Sequence, residues 1–339
     1  MKKFAILMLT LLLLLSGCSR NNKGDNNLPK KVKIGIIRVP NDTSVAMAEN
    51  YFDKFFKDKG IETEFIFFDS GVAANQAFSS GSIDFAEMGH TNGVVALANN
   101  LPVKLIWIHE ILGSNEALVV KNDSGINKIE DLAGEKIATT FSSTSHLSLT
   151  KALEAAGIKD QVQLLDMQTA EIVAAWERGD ISAAYSWEPG LSRLKENGKV
   201  LIDSEQLAKE GILTANIDLV HNNFADKYPD LVSDYLKVLN MAVDLYKNNE
   251  DKAVSAAASV LEISEKEAKH QMAGTIWLSS NQQISDTYLG SETSPGNFHE
   301  VFYQSSIFLN DQGNISRIPT IEEINKFIDS SYIENSLKN

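Results

Sequence analysis

The sequence predicts an α/β protein of two lobes, joined by two crossings, with a cleft between them. Short β-rich runs alternate with helical ones from Lys31 onward, the alternation breaks and restarts near Glu116, and the chain is too long for one comfortable core. Removing an export segment from 339 residues leaves about 320, which suits two lobes of roughly 100 to 200 residues each.

In the first stretch, strands are expected over Val32–Val39, Glu64–Phe68, Ile83–Met88 and Val103–Ile108, where β-branched and aromatic residues cluster between turn residues. Helices are expected between them, over Val45–Lys59, Ala73–Ser79 and Thr91–Asn99. The pattern restarts with strands at Ala117–Val120, Lys136–Thr139, Val162–Leu165 and Ile181–Trp187, and with helices at Ser148–Ala156 and Glu171–Arg178. Such strict alternation points to parallel sheet construction. After strands at Val200–Asp203 and Asn216–Val220 the chain turns mainly helical, over Pro229–Tyr246, Asp251–Leu261 and Ile321–Ile328. Crossings near Gly113–Glu116 and Ala215–Asp218 divide it into lobe 1 (residues 31–114 and 217–339) and lobe 2 (residues 115–216).

The N-terminus has its own logic. Lys2 and Lys3 precede an apolar run from Phe4 to Leu15, about twelve residues against the roughly twenty needed to span a hydrocarbon core. It reads as an export signal over residues 1–17 that ends in Leu15-Ser16-Gly17 before Cys18, the chain's one cysteine. That arrangement resembles the bacterial lipobox and makes Cys18 the expected lipid attachment point. Residues 18–30 are polar and turn-rich, lack the apolar surface that offsets ordering entropy, and read as a tether. A formal charge of −14 with no basic stripe excludes nucleic acid as a partner.

In sheets of this kind ligands bind beyond the carboxyl ends of strands. Three loops there share a chemistry: Asp69-Ser70-Gly71, Gly89-His90-Thr91-Asn92 and Ser142-Ser143-Thr144-Ser145. Each puts small hydroxyl or glycine residues at a helix start, where free N–H groups and the helix dipole favour an anion, although the same residues are also ordinary caps. His90 and His146 are possible donors. Glu116 at the first crossing and Asp218 within an apolar strand need a partner if desolvated, either a ligand ammonium or a protein cation. Trp187 is placed to wall the pocket or simply to pack. No metal-ligand spacing occurs among the six histidines, and no phosphate loop or nucleophile elbow is present, so neither catalysis nor a cofactor is called for.

At these residues the chain resembles the substrate-binding components of taurine and aliphatic sulfonate uptake systems, within the nitrate, sulfonate and taurine family of ABC transporters. The telling segments are Phe68-Asp69-Ser70-Gly71, Ser80-Gly81-Ser82-Ile83-Asp84, Leu112 to Val120, Ile129 to Ala138 and Ala174 to Ile181. Gly113-Ser114-Asn115-Glu116-Ala117-Leu118-Val119-Val120 and Phe141 to Leu149 resemble the taurine branch in particular.

The resemblance implies a type II periplasmic-binding-protein fold that closes on its ligand. It also implies a permease with a cytoplasmic ATPase as partners, a monomeric binding protein, and a location on the outer face of the bacterial cell membrane. Carried onto matching positions, a sulfonate rests on Gly89, His90 and Thr91 and on Ser142, Ser143 and Thr144, the amine meets Glu116 and Asp218, and Trp187 closes the wall. Two features depart from the taurine branch. His90 stands where small hydroxyl residues are expected, and Asp42, in the loop after the first strand, brings a further carboxylate towards the ligand. Nitrate, bicarbonate, a thiamine precursor or a betaine are alternative ligands, and a sensing lipoprotein or a pyrimidine-synthase-like enzyme are alternative roles.

Overall fold

The computed structural model describes residues 28–338, so the expected export signal, Cys18 and most of the tether lie outside the described residues. Eleven strands build the two principal sheets: β1 (Lys31–Ile37), β2 (Glu62–Phe68), β3 (Phe85–Gly89), β4 (Val103–Leu112), β5 (Glu116–Lys121), β6 (Lys136–Thr139), β7 (Gln163–Asp166), β8 (Ala183–Trp187), β9 (Gly198–Asp203), β10 (Ala215–His221) and β11 (Thr275–Trp277). Lobe 1 holds a six-stranded sheet in the order β11-β4-β10-β3-β1-β2, and lobe 2 a five-stranded sheet in the order β7-β6-β8-β5-β9.

The sheets are mixed rather than parallel. β1 runs parallel to β2 and β3, but β10 lies antiparallel between β3 and β4. In lobe 2, β5 is antiparallel to both β8 and β9. The antiparallel pairs arise where the chain enters a lobe across the cleft, because a crossing strand arrives without a right-handed helical return. The second crossing falls at residues 210–214, since Ala215 already pairs with Ile111 in lobe 1 and the Thr214 carbonyl accepts from Leu112 N at 2.9 Å. Its position four to five residues before the expected one follows from β10, which already begins at Ala215.

Two helices begin earlier than their apolar periodicity suggests. The helix expected from Val45 starts at Asp42, capped by Asn41, and its polar first turn, Asp42-Thr43-Ser44, is buried. It stops at Ala48 because Asn50 adopts a left-handed φ of 54°, after which Tyr51–Phe56 forms a separate helix. The helix expected from Ser148 starts at Thr144 with the Ser143 hydroxyl accepting from His146 N at 3.2 Å.

Lobe 1 is completed by the long C-terminal helical stretch, including Pro229–Asn248, Glu250–Leu261 and Phe298–Asp311. Its core runs from Val32, Ile34 and Ile36 of β1 through Leu236 and Leu239 to Phe302. Lobe 2 buries two smaller clusters on the faces of its sheet, around Leu118, Leu149 and Tyr185 on one side and Val119, Trp176 and Leu191 on the other. Leu147, on the lobe 2 helix Thr144–Ala155, packs into the lobe 1 core instead. Among the described residues no helix is long and apolar enough to cross a membrane.

Candidate functional site

The carboxyl ends of β1, β2 and β3 face those of β6 and β8 across a cleft of about 970 Å³. Lobe 1 lines it with Phe68 to Gly71, Gly89, Asn92 and Asn216, lobe 2 with Phe141, Ser143, Thr144 and Trp187, and the first crossing with Asn115 and Glu116.

The helix starts that follow the three predicted loops all reach this cleft, and their caps differ. Ser70 and Ser143 use their own hydroxyls to cap the helices Gly71–Ser79 and Thr144–Ala155. The helix His90–Ala98 begins after Gly89, which has no side chain, so its first N–H groups keep no side-chain cap. A Cβ added to Gly89 would stand 3.2 Å from Thr144 Cγ2 in the other lobe. The two starts therefore meet across the cleft, each bringing backbone donors and the positive end of a helix dipole. A second bridge lies beside them, where Asn92 Nδ2 donates to the Ser142 carbonyl at 3.4 Å. Gly71 makes room for Asn92, because a Cβ there would come within 2.4 Å of its Oδ1.

Of the sequence-predicted site residues, Gly89, Glu116, Ser143, Thr144 and Trp187 line the cleft. Asp42, His90, Thr91, Ser142 and Asp218 do not, and each is held elsewhere for a physical reason.

Asp42 and Asp218 flank a buried imidazole beneath the cleft floor. Asp42 accepts from Trp107 Nε1 at 2.8 Å and stands 2.6 Å from His109 Nδ1, while His109 Nε2 lies 3.5 Å from Asp218. Asp218 also accepts from the Tyr235 hydroxyl. Burial disfavours a charged His109, yet the fields of Asp42 and Glu87, the nearby Asp218 carboxylate and the hydrogen bond to Asp42 outweigh it and hold the imidazole well above its ordinary pKa. Protonated His109 is the buried cation that faces both carboxylates.

His90 faces inward. Its Nδ1 accepts from Ala215 N at 3.4 Å and its Nε2 lies 2.8 Å from Ser305 Oγ, while burial drives its pKa down to about 4, keeping it neutral. It does not narrow the cleft. Thr91 is wholly buried and its hydroxyl has no hydrogen-bond partner. Ser142, at a left-handed φ of 62°, contributes backbone: its N–H donates to His146 Nδ1 at 3.3 Å. His146 stacks on Phe141 at 4.5 Å and meets Phe308 of lobe 1 edge-on at 5.2 Å, and burial lowers its pKa to about 4 as well.

Glu116 reaches the cleft wall but is already occupied. One oxygen accepts from Thr144 Oγ1 at 2.5 Å and Ser145 Oγ at 2.8 Å, and the other from Ser204 Oγ at 2.6 Å and Thr214 Oγ1 at 3.4 Å. Burial raises its pKa, and these four hydroxyls pull it back by stabilising the carboxylate. Glu116 thus ties the helix start at Thr144 to both crossings. Glu188, beside Trp187, is likewise engaged, accepting from Ser192 N at 2.9 Å and pairing with Lys195 at 3.0 Å.

Cleft-lining residues to which the sequence reading gave no ligand role of their own include Asn92, Asn216, Phe68, Phe141 and Arg38, whose guanidinium stacks 4.2 Å over Phe67. For Asn216 a signal existed. It shares a strand face with Asp218, two residues on, and sits at the cleft end of β10, where the position matters more than the charge.

A match to the family described as NMT1/THI5 like covers residues 43–253. The chain belongs to that family. It is 33% identical over 297 residues to the taurine-binding periplasmic protein of Escherichia coli (strain K12), an alignment covering 86% of this chain and 88% of that protein. In three dimensions it is similar to the periplasmic aliphatic sulphonate binding protein SsuA from Escherichia coli, with a TM-score of 0.72 at 19% identity over 87% of this chain and 92% of the other. It is also similar to the desulfurization enzyme DSZB, with a TM-score of 0.63 at 16% identity over 91% of this chain and 99% of the other. The architecture is the two-lobed periplasmic-binding-protein fold, and that fold carries an enzyme as well as binding proteins.

Proposed function

We propose that this chain is the extracytoplasmic binding component of an ABC importer, held to the membrane by a lipid on Cys18. It captures taurine or a related sulfonate and delivers it to a permease and its ATPase. It works as a monomer and does no chemistry on its cargo.

The observation that carries this reading is the meeting of two helix starts from opposite lobes at Gly89 and Thr144. A sulfonate has three acceptor oxygens and a single delocalised charge, which suits converging backbone N–H donors better than one counter-ion. Ligand between the starts would be touched by both lobes and would favour the closed arrangement by its differential affinity for it. The aromatic walls at Phe68, Phe141 and Trp187 give an organic tail an apolar surface. The relatives' names support the same ligand class.

Thermal-shift measurement of residues 28–339 against taurine, alkanesulfonates, nitrate, bicarbonate, betaine and a thiamine precursor tests the reading. A ligand at a hundredfold excess over its Kd adds about 2.7 kcal/mol of stability. Stabilisation by a sulfonate is expected. Stabilisation by another of these solutes and by no sulfonate would overturn the assignment.

A further inference from the structure

The helix starts account for the anionic end of a sulfonate and leave open what reads its other end. Neither Glu116 nor Asp218 is free to do so. At the cleft floor, however, Asn216 is paired in register with Gly89 on one side and Glu110 on the other. Its side chain lines the cleft, and its Nδ2 donates to Glu110 Oε1 at 2.5 Å. Glu110 is 2% exposed, and its second oxygen, Oε2, is buried without a hydrogen-bond partner. An amide that gives its N–H to the carboxylate behind it turns its carbonyl oxygen outward, as an acceptor.

We propose that the Asn216–Glu110 pair is the specificity-determining element of this cleft, receiving a hydrogen-bond donor, above all an ammonium, at the far end of a bound sulfonate. The inference rests on the sulfonate reading. Asn216 stands one strand spacing, about 5 Å, from Gly89, a gap that a linker of two or three carbons spans. An ammonium placed there meets the Asn216 carbonyl directly and the Glu110 charge just behind it.

The pair also has two protonation states with opposite preferences. Burial pushes Glu110 up to about 7, opposed by His109 and reinforced by Asp42. Glu87 on β3 faces the same cluster, and β10 carries Asp218 two residues beyond Asn216. When ionised, Glu110 accepts from Asn216 and leaves the amide oxygen facing the cleft. When protonated, it can donate to that oxygen, so the amide turns its N–H outward and repels an ammonium.

Calorimetric titration of the whole mature chain with taurine and with ethanesulfonate, which lacks the amine, tests this at about pH 8 and about pH 6, on either side of the Glu110 transition. The native protein is expected to prefer taurine by about tenfold or more at the higher pH, the value of one charge-assisted hydrogen bond, and to lose most of that preference at the lower. Glu110→Gln should abolish the preference at both pH values while holding ethanesulfonate affinity within about threefold. If Glu110→Gln does not fold, Asn216→Leu serves, because it removes the acceptor at the cleft surface. Equal affinity of the native protein for both ligands, or an undiminished taurine preference in the folded variant, overturns the proposal and leaves the sulfonate reading standing. Failure of both sulfonates to bind overturns both readings.

Discussion

Replacing Gly71 by alanine puts a defined strain on the cleft. The new methyl would lie 2.4 Å from Asn92 Oδ1, 2.5 Å from its Cγ and 2.7 Å from its Cβ, all well inside van der Waals contact. Asn92 cannot yield freely, because its carbonyl accepts from Asn75 Nδ2 at 2.9 Å and its own Nδ2 reaches the Ser142 carbonyl in the other lobe. Overpacking of this kind costs about 1–3 kcal/mol. At about 2–4 °C per kcal/mol for chains of this order, the melting temperature should fall by roughly 2 to 12 °C. Ligand should also leave faster, because the interlobe bridge is pushed aside. The control is Asn92→Gly, which removes all three crowded atoms. In that background Gly71→Ala should cost almost nothing, so a double-mutant cycle by denaturant melts should return a coupling near the full single-mutant loss. A Gly71→Ala protein as stable as the native one, or the same loss with and without Asn92, would refute the geometry.

Glu116→Gln should destabilise the folded protein by about 1–3 kcal/mol, because an amide cannot accept from hydroxyls on both sides. It should weaken taurine and ethanesulfonate alike, and a selective loss of taurine in titration would return the amine to Glu116. His90 is held at a pKa of about 4, below its unfolded value, so its contribution is full above about pH 6.5 and is lost as pH falls towards 4. His90→Asn should therefore flatten the acid limb of the stability curve, measured by urea melts, by on the order of 3 kcal/mol. An unchanged limb would place the acid sensitivity elsewhere. Trp187→Ala removes a half-buried wall of the cleft and should weaken ligand by about 1 kcal/mol or more with little change in melting temperature. A large stability loss without an affinity loss would make Trp187 a packing residue only.

Much of the lobe architecture was legible because strand periodicity and turn residues survive in a single sequence. The paired helix starts were legible for a similar reason, since Gly89 and the serines around Ser143 mark them locally. Which residue of the last crossing strand reaches the cleft was not legible. Asp218 and Asn216 share a strand face, and only the placement of the cleft at the start of β10 decides that Asn216 is the one that lines it. Asp42 looked like a loop charge because its partners, Trp107 and His109, are about sixty-five residues away in the chain. The polar first turns beginning at Asp42 and Thr144 read as loops, since their burial comes from tertiary neighbours that local pattern does not record.

The seat of Leu147 reaches beyond the cleft. Its helix begins at the ligand site in lobe 2, yet Leu147 lies in the core of lobe 1 and His146 rests against Phe308 there. The lobes are therefore not interchangeable parts. A chimera that takes its second lobe from a relative would seat a foreign side chain in that socket, and an isolated second lobe would leave Leu147 stranded in water. Drift in sequence at this joint must proceed on both sides together, so the two halves of the binding site inherit each other's history.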